Sequence, residues 1–255
     1  AFQKRGGIVV ADEFLCPAIL PDILLPSYRR TNTPHEDKAA LQQIAADLST
    51  QLEPFYQRAV FSSNPDIVPR LRRYGKTDYL FTINDHRTYG YYLGHHRLVM
   101  EQGLPAQATV TMPRSGHVYD LVQHKLVASV PKGESVLLEQ EYAPGEGKLH
   151  MITDVRLDKI VALVKPETPS RGGKAHIFVW VCNKKNTPPN AVTPIAVDII
   201  DPEGRKAEFS GYYAALKGSM QITFNFAPND TPGKWTINAR CLASGNTVQK
   251  TFVLE

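Results

Sequence analysis

From about residue 67 to the C-terminus, short runs of alternating apolar and polar residues recur between glycine- and proline-bearing turns. Period-two alternation puts one side chain in two on a buried face, and short strands at regular spacing favour antiparallel sandwiches over helical or parallel folds. Asp78–Asn84, Thr109–Met112, His117–Val122, Lys125–Ala128, Ser135–Glu139 and Lys148–Ile152 read as strands, with turns at 113–116 and 143–147. A second set follows at Ile160–Val164, Ala175–Cys182, Ile195–Ile200, Met220–Phe226, Trp235–Cys241 and Thr247–Leu254. At least six strands in about a hundred residues is the size of an immunoglobulin-like sandwich.

The first third of the chain obeys other rules. Residues 1–7 read as a helix end running into the pair Gly6–Gly7, and Ile8–Asp12 is a short apolar run suited to a buried strand. The chain is therefore expected to begin in the middle of a fold, as a fragment, with no signal peptide of its own. The stretch from Cys16 to Pro26 holds three prolines and is expected to be irregular and extended. Thr33-Pro34-His35-Glu36 has the form of a helix start. From there to about 57, Ala40, Leu41, Ile44, Ala45, Leu48 and Leu52 form one stripe at spacings of three and four. The expected fold is thus mainly β: two antiparallel β-sandwich modules, the second immunoglobulin-like, preceded by a small α/β remnant with one long helix over about 35–57. The expected domains are 1–66, 67–155 and 156–255.

Composition narrows the function classes. Hydrophobic residues make up 42% and charged residues 21% of the 255, which supports packed cores rather than a disordered tail. The net charge of +4 is scattered. Its densest cluster, Arg70, Arg72, Arg73 and Lys76, is broken by Pro69, Leu71, Tyr74 and Gly75, so it is no nucleic-acid stripe. No apolar run approaches the ~20 residues that span a bilayer. No cofactor motif is expected.

Three stretches resemble known domains. Gly6-Gly7-Ile8-Val9-Val10-Ala11-Asp12 resembles the end of the amidotransferase-like, trimerisation-type domain behind the catalytic barrel of some bacterial β-galactosidases. Tyr79–Asn84 and Val118-Tyr119-Asp120-Leu121 resemble the small C-terminal β-domain of such glycosidases. Ile200-Asp201-Pro202-Glu203-Gly204 and Asn229–Ile237 resemble a macroglobulin-type immunoglobulin-like domain. The resemblance implies the tail of a larger bacterial carbohydrate-active protein, without the barrel where such enzymes keep their glutamates. It implies a non-catalytic accessory role, secreted or periplasmic, partnered by upstream domains of the same polypeptide, by polysaccharide or by other copies of itself.

Several residues could carry chemistry. Tyr89, Tyr91 and Tyr92, with His95, lie in a glycine-punctuated segment read as a long inter-strand loop. Aromatic faces there could stack on a sugar ring, or simply pack on the sandwich. Tyr212–Tyr213 is a weaker version of the same pattern. Asp85, His86, His95 and His96 could approach a metal, or a hydrolytic site could form near Asp85 and His86. A metal needs three or four converging ligands, and adjacent histidines on a strand face opposite ways. Asp78, Asp85, Glu101 and Asp120 could supply paired carboxylates, although turn and strand-end duties explain them as well. Cys16, between Leu15 and Pro17, fits a buried thiol better than a nucleophile on a tight elbow. Cys182 and Cys241 end two strands that each carry a tryptophan, so they are read as a cross-sheet disulfide or as two buried thiols.

Overall fold

The computed structural model describes residues 2–14, 20–31, 34–94 and 97–255. It is mainly β, with one α-helix among the described residues. The chain divides into two compact units, Ala1–Ala59 with His86–Leu104, and Val60–Asp85 with Pro105–Glu255. In chain order the first elements are β1 (Val10–Asp12), β2 (Ile23–Leu25), α1 (Pro34–Leu52), β3 (Phe61–Ser62), β4 (Ile67–Tyr74) and β5 (Thr77–Asn84). A hairpin of β6 (Arg87–Gly94) and β7 (Arg97–Gly103) follows.

In the first unit a 3-10 turn over Gln3–Arg5 is closed by Gly6 in the left-handed region, as the glycine pair predicts. β1 and β2 pair in parallel, so part of the proline-interrupted stretch expected to be irregular is a strand. Asp22 ties them, accepting from the Val9 backbone at 2.8 Å and from Gln3 Nε2 at 3.1 Å. The helix stops at Leu52, short of the expected 57, with Ile44, Leu48 and Leu52 half-buried and Leu41 exposed. Asp37 in its first turn accepts from Tyr28 Oη and the Thr31 backbone. The glycine-punctuated segment 89–94, expected to be a long inter-strand loop, lies instead on β6, which pairs with β7 in this same unit. Among the described residues no helix is long and apolar enough to cross a membrane.

The second unit holds both sandwiches. The remaining strands of the first are β8 (Ala106–Met112), β9 (Gly116–Asp120), β10 (Lys125–Val130), β11 (Val136–Tyr142) and β12 (Gly147–Thr153). A five-stranded sheet, β10-β9-β12-β5-β4, faces a three-stranded one, β11-β8-β3. Leu80, Val118 and Ile152 from one meet Val110, Met112, Val136 and Leu138 from the other in a buried cluster. β4 was not legible as a strand because of its three arginines and Pro69. It sits at the sheet edge, where a proline removes no ladder bond that a neighbour needs.

The second sandwich comprises β13 (Lys159–Lys165), β14 (Lys174–Cys182), β15 (Val192–Ile200), β16 (Gly211–Leu216), β17 (Ser219–Asn225), β18 (Gly233–Cys241) and β19 (Thr247–Leu254). Its order is β13-β14-β17-β16-β15-β18-β19. β16 and β17 pair only at Leu216↔Ser219, so this seam folds β13-β14-β17 over β16-β15-β18-β19, and β13 returns beside β19. The seam turns on Lys217 and Gly218, both at positive φ, as a tight primed hairpin requires. An added Cβ at Gly218 would meet Pro189 at 2.6 Å. The core is apolar: Ile177, Val179, Ile195, Ile199 and Ile237 surround Phe224, Phe226, Trp235 and Phe252, whose rings lie 4.4 to 6.1 Å apart.

Cys182 and Cys241 are both buried and free, so the disulfide reading is corrected. The cause is alternation. On β14 the core face is Ala175, Ile177, Val179 and Val181, which turns Trp180 and Cys182 to the outer side. On β18 Trp235, Ile237, Ala239 and Cys241 all face the core. The shared parity of cysteine and tryptophan within each strand holds, but the two cysteines point to different faces. Burial pushes the Cys182 thiol pKa up.

Candidate functional site

The most heavily constructed place in the second unit is the junction between its two sandwiches. The β4–β5 hairpin supplies it. A two-residue turn at Gly75–Lys76 pairs Tyr74 with Thr77 and Arg73 with Asp78. Gly75 has φ +57, and a Cβ there would lie 2.4 Å from Asn190 Oδ1 of the second sandwich, so glycine lets the tip seat without backbone strain and without displacing the Asn190 side chain. Seated, the Lys76 N–H donates to the Asn190 carbonyl at 3.3 Å and Thr77 Oγ1 donates to it at 3.2 Å. Two residues on, Tyr79 Oη donates to the Val192 carbonyl at 2.6 Å and accepts from the Val192 N–H at 2.8 Å.

Apolar contact continues the junction. Tyr119 and Met151, on strands of the first sandwich, are buried in the core cluster of the second, with Tyr79, Leu121 and Leu126 packed against it. Tyr119 Oη accepts from the Leu157 N–H at 2.7 Å, and burial pushes this phenol pKa up to about 12. The carbonyl of Leu242 lies 2.5 Å from His124 Nδ1. The two modules therefore share one core rather than meeting across a loose linker.

Beneath the hairpin lies a node absent from the sequence reading. Asp78 is fully buried, yet ionised: Arg73 donates to Oδ1 from Nε at 2.7 Å and to Oδ2 from Nη2 at 3.2 Å, and Arg114 Nη1 donates to Oδ2 as well. Burial alone raises a carboxyl pKa; here the two guanidiniums outweigh it and hold Asp78 below its ordinary value. A cleft of about 720 Å³ opens beside this node, lined by Arg73, Lys76, Arg114, Glu134 and Asp154 among others. Its two arginine guanidiniums are engaged. Arg114 also donates to the carbonyls of Ser115 and Lys76, and Arg73 is turned onto Asp78. The arrangement locks the hairpin.

Of the residues proposed for chemistry, the node contains Asp78. Tyr89 is half-buried on β6, opposite Met100. Tyr91 and Tyr92 lie on the same strand, but their side chains fall outside what the structure describes, as do His95, His96, Cys16 and the Glu101 side chain. Asp85 is exposed and its N–H donates to the Asp66 carbonyl; the His86 carbonyl accepts from Leu104. Asp120 accepts from the N–H groups of Val122 and Gln123, which is turn duty. Tyr212 is exposed, whereas Tyr213 donates to the Phe209 carbonyl at 2.5 Å. Among the described residues no three His, Cys, Asp or Glu side chains are grouped to hold a metal. The Arg73–Asp78 pair was findable: reading Gly75–Lys76 as a two-residue hairpin places the two charges directly opposite. Arg114, 36 positions away, had no such signal.

No protein-family model matches the sequence, and no curated protein matches it. Among solved structures, the chain is similar to a glycosyl hydrolase family 2 member from Bacteroides cellulosilyticus, at 13% identity and a TM-score of 0.32 over 67% of this chain and 24% of that one. It is similar to the adhesin InvE of Yersinia pseudotuberculosis, at 8% identity and TM-score 0.32 over 70% and 54%. It is also similar to a Salmonella alpha-2-macroglobulin mutant, at 14% and 0.31 over 81% and 14%. The chain thus spans about a quarter of the length of the first and about half of the second.

Proposed function

We propose that this chain is a non-catalytic accessory region of a larger, carbohydrate-active bacterial protein, secreted or periplasmic, in which the paired sandwiches brace and orient neighbouring domains. The observation that carries the reading is the shared core: a spacer that must hold an angle needs its modules fused by buried contact, and Tyr79, Tyr119 and Met151 supply it. Two of the four carboxylates considered for hydrolysis support the same reading, since Asp78 is neutralised by two arginines and Asp120 closes a turn. The resemblance of Tyr79–Asn84 and Val118–Leu121 to a glycosidase C-terminal β-domain supports the parent class.

Incubating the purified chain with a panel of aryl glycosides tests the non-catalytic part. No turnover is expected. Turnover that disappears in His86→Ala would replace this reading with a hydrolase.

A further inference from the structure

The two outer faces of the first sandwich carry the same side-chain pattern with opposite charge. On the edge strand β4 the outward residues are Val68, Arg70 and Arg72, all exposed. On the edge strand β11 of the opposite sheet they are Leu137, Glu139 and Glu141, also all exposed. Each set is an apolar residue followed by two like charges at i+2 and i+4, so each repeats at about 6.8 Å. Further exposed apolar side chains flank each set. Ile83 and Phe81 sit opposite Val68 and Arg70 in the β4–β5 ladder and are 50% and 44% exposed. Phe61 shares a row with Leu137 through Thr111 and is 50% exposed. Arg70 and Arg72 have no carboxylate partner among the described residues.

The basic face also continues an existing interface. Arg72 stands at the exposed end of the row Tyr79, Met151, Tyr119 and Leu126, whose other members the second sandwich covers. The sheet face is thus half covered, and the uncovered half keeps its apolar character.

We propose that these two faces bind each other between copies of this chain, head to tail: Val68–Arg70–Arg72 of one copy lies against Leu137–Glu139–Glu141 of the next. Charge decides the occupant and the geometry. A two-fold dimer through the basic face would set arginine against arginine, whereas stacking the basic face on the acidic one pairs every charge in register. Because the faces lie on opposite sides of one sandwich, the contact is heterologous and propagates into a ring or a filament. This inference is independent of the bracing role, which concerns contacts within one chain.

Sedimentation velocity of the full chain over rising concentration tests it. The wild type is expected to grow beyond the monomer, and raising salt from about 0.05 to 0.5 M to weaken growth roughly tenfold. Arg70→Glu/Arg72→Glu and Glu139→Lys/Glu141→Lys are each expected to remain monomeric at tenfold the wild-type midpoint. An equimolar mixture of the two variants is expected to grow again with the two kinds of copy alternating, since the intact faces pair and the two reversed faces are complementary as well. Phe81→Ser and Leu137→Ser give a second, charge-neutral pair that lowers association without altering either charge set, and unchanged melting temperatures verify folding. A wild type that stays monomeric to about 1 mM overturns the proposal. So does a swap that matters on one face and is silent on the other, the signature of a two-fold dimer or of a different protein partner. A variant mixture that stays monomeric while the wild type associates also overturns it.

Discussion

The two sandwiches of the second unit solve the same packing problem with different chemistry. The second fills its interior with aliphatic side chains and an aromatic cluster, and Thr193 is its one buried polar residue among those described. The first buries Thr77, Asp78, Thr82, Asn84, His150 and Thr153 as well as its apolar cluster. Most of these are tied: Tyr142 Oη donates to Thr82, Asn84 Nδ2 to the Ala143 carbonyl, and the Thr153 hydroxyl to Thr77, whose own proton goes to Asn190. His150 is the exception, its Nδ1 buried without a partner. An apolar core gains stability from area and is insensitive to pH. A polar core fixes a specific arrangement, here the hairpin that seats on the neighbouring module, and is exposed to protonation. The first sandwich is therefore specialised as the joint and the second as the anchor.

That contrast can be challenged in four places. The largest effect is expected for Trp235→Ala, which removes the centre of the aromatic cluster and should cost about 3–5 kcal/mol by urea unfolding, unchanged from pH 5 to 8. Asp78→Ala leaves the mostly buried Arg114 guanidinium without its carboxylate. Since Arg73 is 65% exposed and can rehydrate, the cost should be about 3 kcal/mol, the low end for a broken buried pair. Tyr79→Phe keeps the ring and removes both bonds to Val192, for about 1–2 kcal/mol, seen as earlier loss of junction contacts.

The smallest effect is confined to mild acid. Burial, the leading cause, lowers the His150 pKa, against a weaker opposing influence of Asp120. The unfolded chain, with its histidine near 6.5, therefore takes up the proton first. Stability is complete above pH 6.5 and falls as pH drops through that value toward the folded pKa. His117, also held low chiefly by burial, adds in the same direction, so His150→Gln should flatten the slope only in part. Asp78 acts in a separate window: its contribution is present above the ordinary carboxyl value of 3.8 and is lost as pH falls from there through its depressed folded pKa. A melting-temperature series from pH 8 to 3 in wild type and variant separates the two.

Most strands were legible because a half-buried strand writes its environment into alternate residues, and β5, β14 and β18 do so cleanly. What stayed hidden depended on neighbours. β4 reads as a broken basic cluster because its buried face, Ile67, Pro69 and Leu71, is short and its outer face is charged. β16, Gly211 to Leu216, runs Gly-Tyr-Tyr-Ala-Ala-Leu without alternating apolar and polar residues, and becomes a strand through its ladder with β15. The cysteine pair shows the limit of local parity: alternation says which residues share a face of one strand, not which face turns inward. The junction was out of reach altogether, since Tyr119 reads as an ordinary strand tyrosine until Leu157 is brought to its hydroxyl.

Native-state hydrogen exchange on wild type and Asp78→Ala is the decisive test of the fused joint. If the two sandwiches share one core, opening either removes core from the other. The stability lost at Leu80 and Ile152 amides should then be lost equally at Ile177 and Ile237, in the module that Asp78 does not touch. Unchanged protection at Ile177 and Ile237, with loss confined to the first sandwich, would mean two independent modules and contradict the shared core.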